Sequence, residues 1–208
     1  MVLLAVAAAF LLPPLVYALD DEAPPKVRWR HSCADFEIRA LGGFLTTFNL
    51  EDDLSADGGM GYGATRIRFS KGFAGLVGDF EDGNLGYNQQ GVFALFRPQP
   101  RAHIEGGFEL GYRRIQQDDF VLHGFEFALR SRYIFVPEWR SFGLELRPAF
   151  VVRADEPGLE GRLDAALLIP LGSFAHISAG GRVFSFYDKL NAGFWLELSW
   201  FGLDSFTD

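Results

Sequence analysis

The chain has 208 residues, a formal net charge of −8 and a single cysteine, Cys33. One cysteine excludes an intramolecular disulfide scaffold, and an acidic chain with only 19 Lys and Arg residues is not typical of a nucleic-acid-binding protein. Phe and Gly are abundant, yet no apolar run beyond the N-terminus is long enough for a helical membrane bundle, so the composition favours one β domain with two contrasting faces.

The N-terminal segment, residues 1–18, predicts a signal peptide. It contains no charged side chain and is apolar throughout, apart from Pro13 and Pro14. Val16 and Ala18 are small residues at the spacing that a signal peptidase site requires, so we expect cleavage after Ala18. An N-terminal membrane anchor is the alternative, although it needs about twenty apolar residues to cross a bilayer.

The remaining chain divides into a lead segment, residues 19–35, and one barrel domain, residues 36–208. In this domain apolar and polar residues alternate, as where Phe125 and Phe127 flank Glu126. This is the period of a strand with one apolar face, and turn residues separate the runs. We therefore predict an all-β fold of about ten strands, with eight as the alternative. The ten predicted strands are 36–48, 60–70, 73–81, 86–97, 102–115, 120–135, 140–154, 159–170, 174–187 and 191–203.

Alternation alone does not decide which face of these strands meets water. A soluble barrel points its apolar face inward, whereas a membrane barrel points it outward. The runs are about twelve residues long, closer to a tilted membrane strand than to an average soluble strand. Their polar face is rich in Gly and Arg, while Lys occurs only at Lys26, Lys71 and Lys189. Both features favour the membrane arrangement.

The polar faces also carry nearly equal numbers of basic and acidic residues. The arginines are Arg39, Arg66, Arg68, Arg113, Arg130, Arg132, Arg147, Arg162 and Arg182, and the acids are Glu37, Glu105, Glu109, Glu126, Glu145, Glu160, Asp164 and Glu197. Charges held away from bulk water have to be paired, and the planar guanidinium of Arg bridges carboxylates on neighbouring strands. We expect these residues to form a charge-paired, largely closed lumen. The alternative is a solvated outer face with an ordinary mixture of charges.

Aromatic residues agree with a membrane barrel. Those at or near the ends of the runs, where interfacial belts lie, are Trp29, Tyr112, Tyr133, Trp139, Tyr187, Trp195 and Trp200. With its export signal, even strand rhythm and charged lumen, the chain resembles small bacterial outer-membrane β-barrel proteins of the OmpA-like or OmpX-like kind. The resemblance implies a closed antiparallel up-and-down transmembrane barrel of a Gram-negative outer membrane. Its partners would be outer-membrane lipid, lipopolysaccharide and the barrel-assembly machinery, with no nucleic acid.

A local motif points to a second family. Residues 174–180, Phe-Ala-His-Ile-Ser-Ala-Gly, followed by Asn-Ala-Gly at 191–193, resemble the His-x-Ser-Asn-Ala and later Asn-x-Gly motifs of the lipid A deacylase barrels. This resemblance implies a serine hydrolase with Ser178 as nucleophile and His176 as general base. Ala179 stands where that family has asparagine. The alternative is that both residues are ordinary lumen residues.

The longest predicted loop, residues 49–59, carries Glu51, Asp52, Asp53 and Asp57. Carboxylates around glycine are ligands for a divalent cation, although a solvated loop is the alternative. The chain has no phosphate-binding glycine loop and no Cys or His spacing for a metal, so we expect no cofactor.

We expect a structural or surface-interaction role at the envelope, with narrow, porin-like conductance at most. A lipid-modifying serine hydrolase and a soluble periplasmic barrel that binds an apolar ligand are the alternatives. The sequence leaves the oligomeric state open.

Overall fold

A computed structural model shows ten antiparallel strands closed into one barrel. The structure describes residues 34–49, 56–71, 73–84, 86–97, 104–117, 119–135, 142–155, 158–171, 175–187 and 189–201. The predicted signal peptide, nearly all of the lead segment and the loop residues Glu51, Asp52 and Asp53 lie outside the described residues. No helix in the described part of the chain is long and apolar enough to cross a membrane.

The described residues form ten strands, which confirms the prediction and makes the eight-stranded alternative wrong. The strands are β1 (Ala34–Asn49), β2 (Ala56–Lys71), β3 (Ala74–Gly83), β4 (Asn88–Phe96), β5 (Ile104–Gln117), β6 (Phe120–Ile134), β7 (Gly143–Arg153), β8 (Leu159–Pro170), β9 (Ala175–Phe186) and β10 (Lys189–Phe201). The largest difference is β2, which begins four residues before the predicted 60 because Ala56, Gly58 and Gly59 extend the backbone pairing with β1. The glycines there hide the alternation on which the prediction depended.

Each strand pairs with its neighbours in the chain, and β1 pairs with β10 to close the barrel. A path of paired residues that starts at Asp35 returns to β1 at Thr47, twelve residues further along the strand. The path is Asp35, Ser70, Gly75, Leu95, Glu109, Ala128, Ala149, Arg162, Phe184, Asn191, Thr47. An offset of this size in ten strands tilts them by about 40° and leaves a narrow interior.

Two ends of the barrel need names. The connections that follow β1, β3, β5, β7 and β9 lie at one end, which we call the odd-loop end. The connections that follow β2, β4, β6 and β8 lie at the other, which we call the even-loop end.

The apolar face of the strands points outward. On β6, Phe125 is 58% exposed and Phe127 is 42% exposed, whereas Glu126 and Arg130 between and beyond them are buried. The same alternation holds on the other strands, since most of the exposed large side chains are Phe, Leu, Ile and Val and most of the buried charged ones are Arg and Glu. An apolar outer wall around a polar interior is the arrangement of a transmembrane β-barrel.

One strand contains a proline in its middle. Pro148 lies in β7 between β6 and β8, and it has no backbone N–H to donate to the ladder. The pairing of β6 with β7 is recorded as far as Ala128 opposite Ala149 and resumes at Ser131 opposite Leu146. The two strands keep one register on both sides of this gap, so the proline interrupts the hydrogen bonding without changing how the strands are aligned.

Candidate functional site: the charged interior of the barrel

The structure places the predicted charged residues inside the barrel. Of the nine arginines and eight acids that the sequence assigned to the polar face, only Arg66 and Glu105 are half-buried, and the others are buried. Sequence reasoning missed two further interior acids, Asp79 and Glu81 on β3. The signal that could have found them is the spacing of Leu76 and Phe80, which are exposed on the outer face of the same strand.

A first cluster lies near the even-loop end. Its members are Glu37, Arg39, Arg68, Arg130, Arg132 and Glu145. Arg39 binds Glu145 with both terminal nitrogens, Nη1 to Oε1 at 2.8 Å and Nη2 to Oε2 at 3.0 Å. Arg130 and Arg132 donate to Glu145 Oε2 at 2.7 and 3.0 Å. A single carboxylate on β7 therefore holds three guanidinium groups, one from β1 and two from β6.

A second cluster occupies the middle of the barrel. Its members are Arg66, Asp79, Glu109, Arg113, Glu126 and Arg147. Nη2 of Arg147 donates to Glu109 at 2.8 Å and to Glu126 at 2.5 Å, so one guanidinium joins β5, β6 and β7. Arg113 contacts both Glu126 and Asp79, which carries the network on to β3. The cluster alternates positive and negative groups, as buried ions require.

A third cluster of four residues lies beside the second. Arg182 donates to Glu81 at 2.6 Å and to Asp164 at 2.7 Å, while Arg162 donates to the same two acids at 3.2 and 2.9 Å. The four groups form a closed ring of alternating charge. Oε1 of Gln89 accepts from Arg162 at 3.0 Å and from Arg113 at 3.2 Å, and so links this ring to the second cluster.

Several of these contacts cross the lumen instead of following the wall. Arg39 on β1 reaches Glu145 on β7, and Glu81 on β3 reaches Arg182 on β9. In each case the two strands are separated by three others around the barrel. A cavity of about 40 Å³ lies among the clusters, which is room for about three water molecules.

The interior nearer the odd-loop end is largely apolar, which the sequence did not predict. The buried apolar residues that form this cluster, which reaches the middle of the barrel at Ala166 and Trp195, are Leu45, Met60, Tyr62, Tyr87, Ile115, Leu122, Val151, Ala166, Phe184, Phe186 and Trp195. Placing Trp195 in an interfacial belt was wrong: it is 4% exposed and points into the lumen. Gly180 on β9 leaves the room for it, because a Cβ there would lie 2.5 Å from the indole ring. We call this group the apolar layer.

Polar side chains cover part of the apolar layer. Thr47 donates to Asn191 Oδ1 at 2.7 Å, and the amides of Gln117 and Asn191 exchange hydrogen bonds at 3.3 Å. Of the other predicted belt residues, Tyr112 and Trp200 fit better, since each is 45% exposed on the outer wall, whereas Tyr187 is half-buried against the apolar layer. Trp29 and Trp139 lie outside the described residues.

His176 and Ser178 lie two residues apart on β9, and both are 0% exposed inside the barrel. Ser178 donates its hydroxyl hydrogen bond to Glu197 Oε1 at 3.0 Å, and His176 Nε2 lies 3.9 Å from the same oxygen. A serine nucleophile is activated when it gives its proton to a base, commonly a histidine. Here Ser178 and Ser199 both donate to Glu197, which makes them partners of a buried carboxylate.

The second half of the local motif lies elsewhere. Asn191 pairs in register with Phe184, near the odd-loop end, whereas Ser178 pairs with Glu197. The two halves are therefore not brought together. Among the residues that the structure describes, no group of three or more His, Cys, Asp or Glu could hold a metal ion. The predicted metal ligands Glu51, Asp52 and Asp53 belong to the undescribed part of the chain.

An apolar outer wall around paired interior charges is the arrangement found in outer-membrane barrels. The chain has the architecture of a transmembrane β-barrel. No family model and no curated protein matches its sequence. Similar solved structures include the attachment invasion locus protein Ail of Yersinia pestis, at 12% identity and a TM-score of 0.36, with 81% of this chain and 99% of that chain covered.

Two other solved structures are similar. One is the KdgM porin in complex with disordered oligogalacturonate, at 10% identity and a TM-score of 0.39, with 81% of this chain and 98% of that chain covered. The other is the translocator domain of autotransporter NalP from Neisseria meningitidis, at 12% identity and a TM-score of 0.36, with 94% of this chain and 95% of that chain covered.

Proposed function

We propose that this protein resides in a bacterial outer membrane as a barrel whose lumen is closed by paired charges. Its role is structural or interactive at the envelope surface, with narrow conductance at most. The observation that carries the proposal is the set of ion pairs that cross the lumen, such as Arg39 with Glu145 and Glu81 with Arg182. An open pore would leave opposite walls separated by water, with no direct contact between them.

Two layers oppose the passage of a solute. The charged clusters fill the middle and the even-loop half, where every displaced guanidinium would leave a buried carboxylate unpaired. The apolar layer lies nearer the odd-loop end, where an ion would meet mostly apolar side chains in exchange for its hydration. A hydrated solute would have to displace both layers, and this supports a lumen that does not act as a wide pore.

In this proposal both termini lie in the periplasm and the odd-loop end faces outward. Outer-membrane barrels are inserted by the barrel-assembly machinery, which would then be a partner. The apolar wall would contact membrane lipid, and the connections at the odd-loop end would contact lipopolysaccharide or other cells. These connections are the surface on which an interactive role depends.

Membrane fractionation tests the location. We expect the protein in the detergent-soluble fraction of outer membranes, and we expect an electrophoretic mobility that changes on heating, because an unboiled barrel stays folded in SDS. A protein that is extracted without detergent would contradict the proposed location.

Planar-bilayer recording tests the closed lumen. We expect the wild type to show no large, stable channel steps, and Arg39→Ala to raise conductance because it removes the contact with Glu145 across the lumen. Lys71→Ala is the matched control, since Lys71 is exposed at the even-loop end and lies outside the clusters. A wild-type conductance as large as that of an open porin would refute the closed lumen.

A further inference from the structure

A group of polar side chains lies on the outer wall of β4, β5 and β6, at the odd-loop end. Its members are Asn88, Gln90, Tyr112, Arg114, Gln116 and His123, and we call it the outer polar patch. On the same three strands the wall below it is apolar, with Val92, Leu110 and Phe125 exposed. The outer polar patch therefore lies where the apolar wall ends.

Arg114 differs from the interior arginines in its partners. Its Nη1 donates to Asn88 Oδ1 at 3.4 Å, and its Nη2 donates to Gln116 Oε1 at 2.7 Å. Both acceptors are neutral amide oxygens, whereas Arg39, for example, binds carboxylates. The amides fix the guanidinium on the wall and leave its positive charge without a carboxylate contact in the described part of the chain.

The neighbours of Arg114 add further donors. His123 is directly opposite it on β6, and Gln90 is directly opposite it on β4. The hydroxyl of Tyr112 lies 2.5 Å from His123 Nδ1, with the two rings stacked. When the hydroxyl donates this bond, the neutral imidazole carries its proton on Nε2 and becomes a donor too. Asp82 on β3 is opposite Asn88 and lies two strands away from Arg114.

We propose that the outer polar patch binds the phosphate group of a lipid headgroup in the leaflet at the odd-loop end. The guanidinium of Arg114 donates to the phosphate oxygens, and His123 and Gln90 supply neighbouring donors. Arginine is suited to this role because its planar fork matches phosphate geometry, and a phosphate compensates the charge that the amides do not. The inference rests on the proposed membrane location, because the acyl chains of such a lipid would lie against Val92, Leu110 and Phe125.

The test is a lipid titration with matched variants. Wild-type protein and Arg114→Gln, each folded in neutral detergent, are mixed and titrated with diphosphoryl lipid A, and native mass spectrometry counts the lipid on each species. Lys71→Gln is the control because it removes an exposed outward charge at the even-loop end, and it is titrated in a separate sample because Lys and Gln residues have nearly the same mass. Heat-modified mobility checks first that every variant is folded. Phosphatidylcholine and inorganic phosphate serve as competitors.

We expect Arg114→Gln to weaken lipid A binding about tenfold or more, since it removes a charge-assisted contact, and we expect Lys71→Gln to bind like the wild type. Phosphatidylcholine should compete weakly and inorganic phosphate should not compete at equal concentration. Equal binding by all three proteins would overturn the proposal. If inorganic phosphate competed at the same concentration as lipid A, the outer polar patch would bind free phosphate, and the assignment to a lipid headgroup would be overturned. Failure of the wild type to enter bilayers would instead overturn the proposed location.

Discussion

Glu145 is the residue whose loss should damage the interior most. It accepts hydrogen bonds from Arg39 at 2.8 and 3.0 Å, from Arg130 at 2.7 Å and from Arg132 at 3.0 Å, and it is buried. Glu145→Gln keeps the shape of the side chain but leaves three buried guanidinium groups short of a counter-charge. Breaking a buried ion pair costs about 3–5 kcal/mol, so we expect a loss of that size in the free energy of unfolding.

The measurement is equilibrium unfolding by urea in lipid vesicles, followed by tryptophan fluorescence and by the fraction that migrates as folded protein. Glu105→Gln is the matched control because Glu105 is half-buried and its contact with Arg132 is long, at 3.7 Å. We expect Glu105→Gln to lower the free energy of unfolding by less than about 1 kcal/mol. The double variant with Arg39→Gln should lose less than the sum of the two single losses, because the residues share one contact. Equal losses for Glu145→Gln and Glu105→Gln would refute the reasoning.

Three further predictions follow from the wall and the lumen. Phe127→Arg should lower the free energy of unfolding in vesicles by about 2–4 kcal/mol, because the side chain at position 127 contacts lipid. A neutral result would mean that this face of the barrel does not contact lipid. Gly180→Ala should cost about 1–3 kcal/mol in urea unfolding, since the new Cβ would press on Trp195, whereas Gly181→Ala, with 3.5 Å to its nearest neighbour, should be close to neutral. Lipid A incubated with wild type or with Ser178→Ala should keep the same acyl chains by mass spectrometry, and deacylation by the wild type alone would restore the hydrolase hypothesis.

The wall of the barrel could be predicted from the sequence because its signal is local. On β6 the successive outer positions Phe125, Phe127 and Leu129 are all large and apolar, and this spacing alone gives both the strand and its outer face. On β3 the outer position 78 is glycine, so the alternation is weaker there and the interior acids Asp79 and Glu81 were missed. The prediction depends on side-chain size at one face, and glycine removes that information.

The contacts inside the lumen could not be predicted in the same way. Which arginine meets which acid depends on the stagger of the strands around the closed barrel, and no single strand encodes that stagger. Trp195 shows the same limit: it lies in the middle of β10 and its side chain points inward, where Gly43 and Gly180 leave space on the strands beside it. The place of a residue in the alternation predicts whether its side chain points inward or outward. Only the neighbouring strands of the closed barrel decide which space that side chain occupies.

The ion pairs across the lumen also restrict the order in which the barrel can form. Arg39 and Glu145 are 106 residues apart in the chain, and Glu81 and Arg182 are 101 apart. A hairpin of β9 and β10 that entered a bilayer alone would expose Arg182 to hydrocarbon with neither Glu81 nor Asp164 beside it. The early strands must therefore be gathered with the late ones before the interior charges leave water. We therefore expect barrel closure, in which β1 pairs with β10, and burial of the interior charges to occur together as one cooperative event.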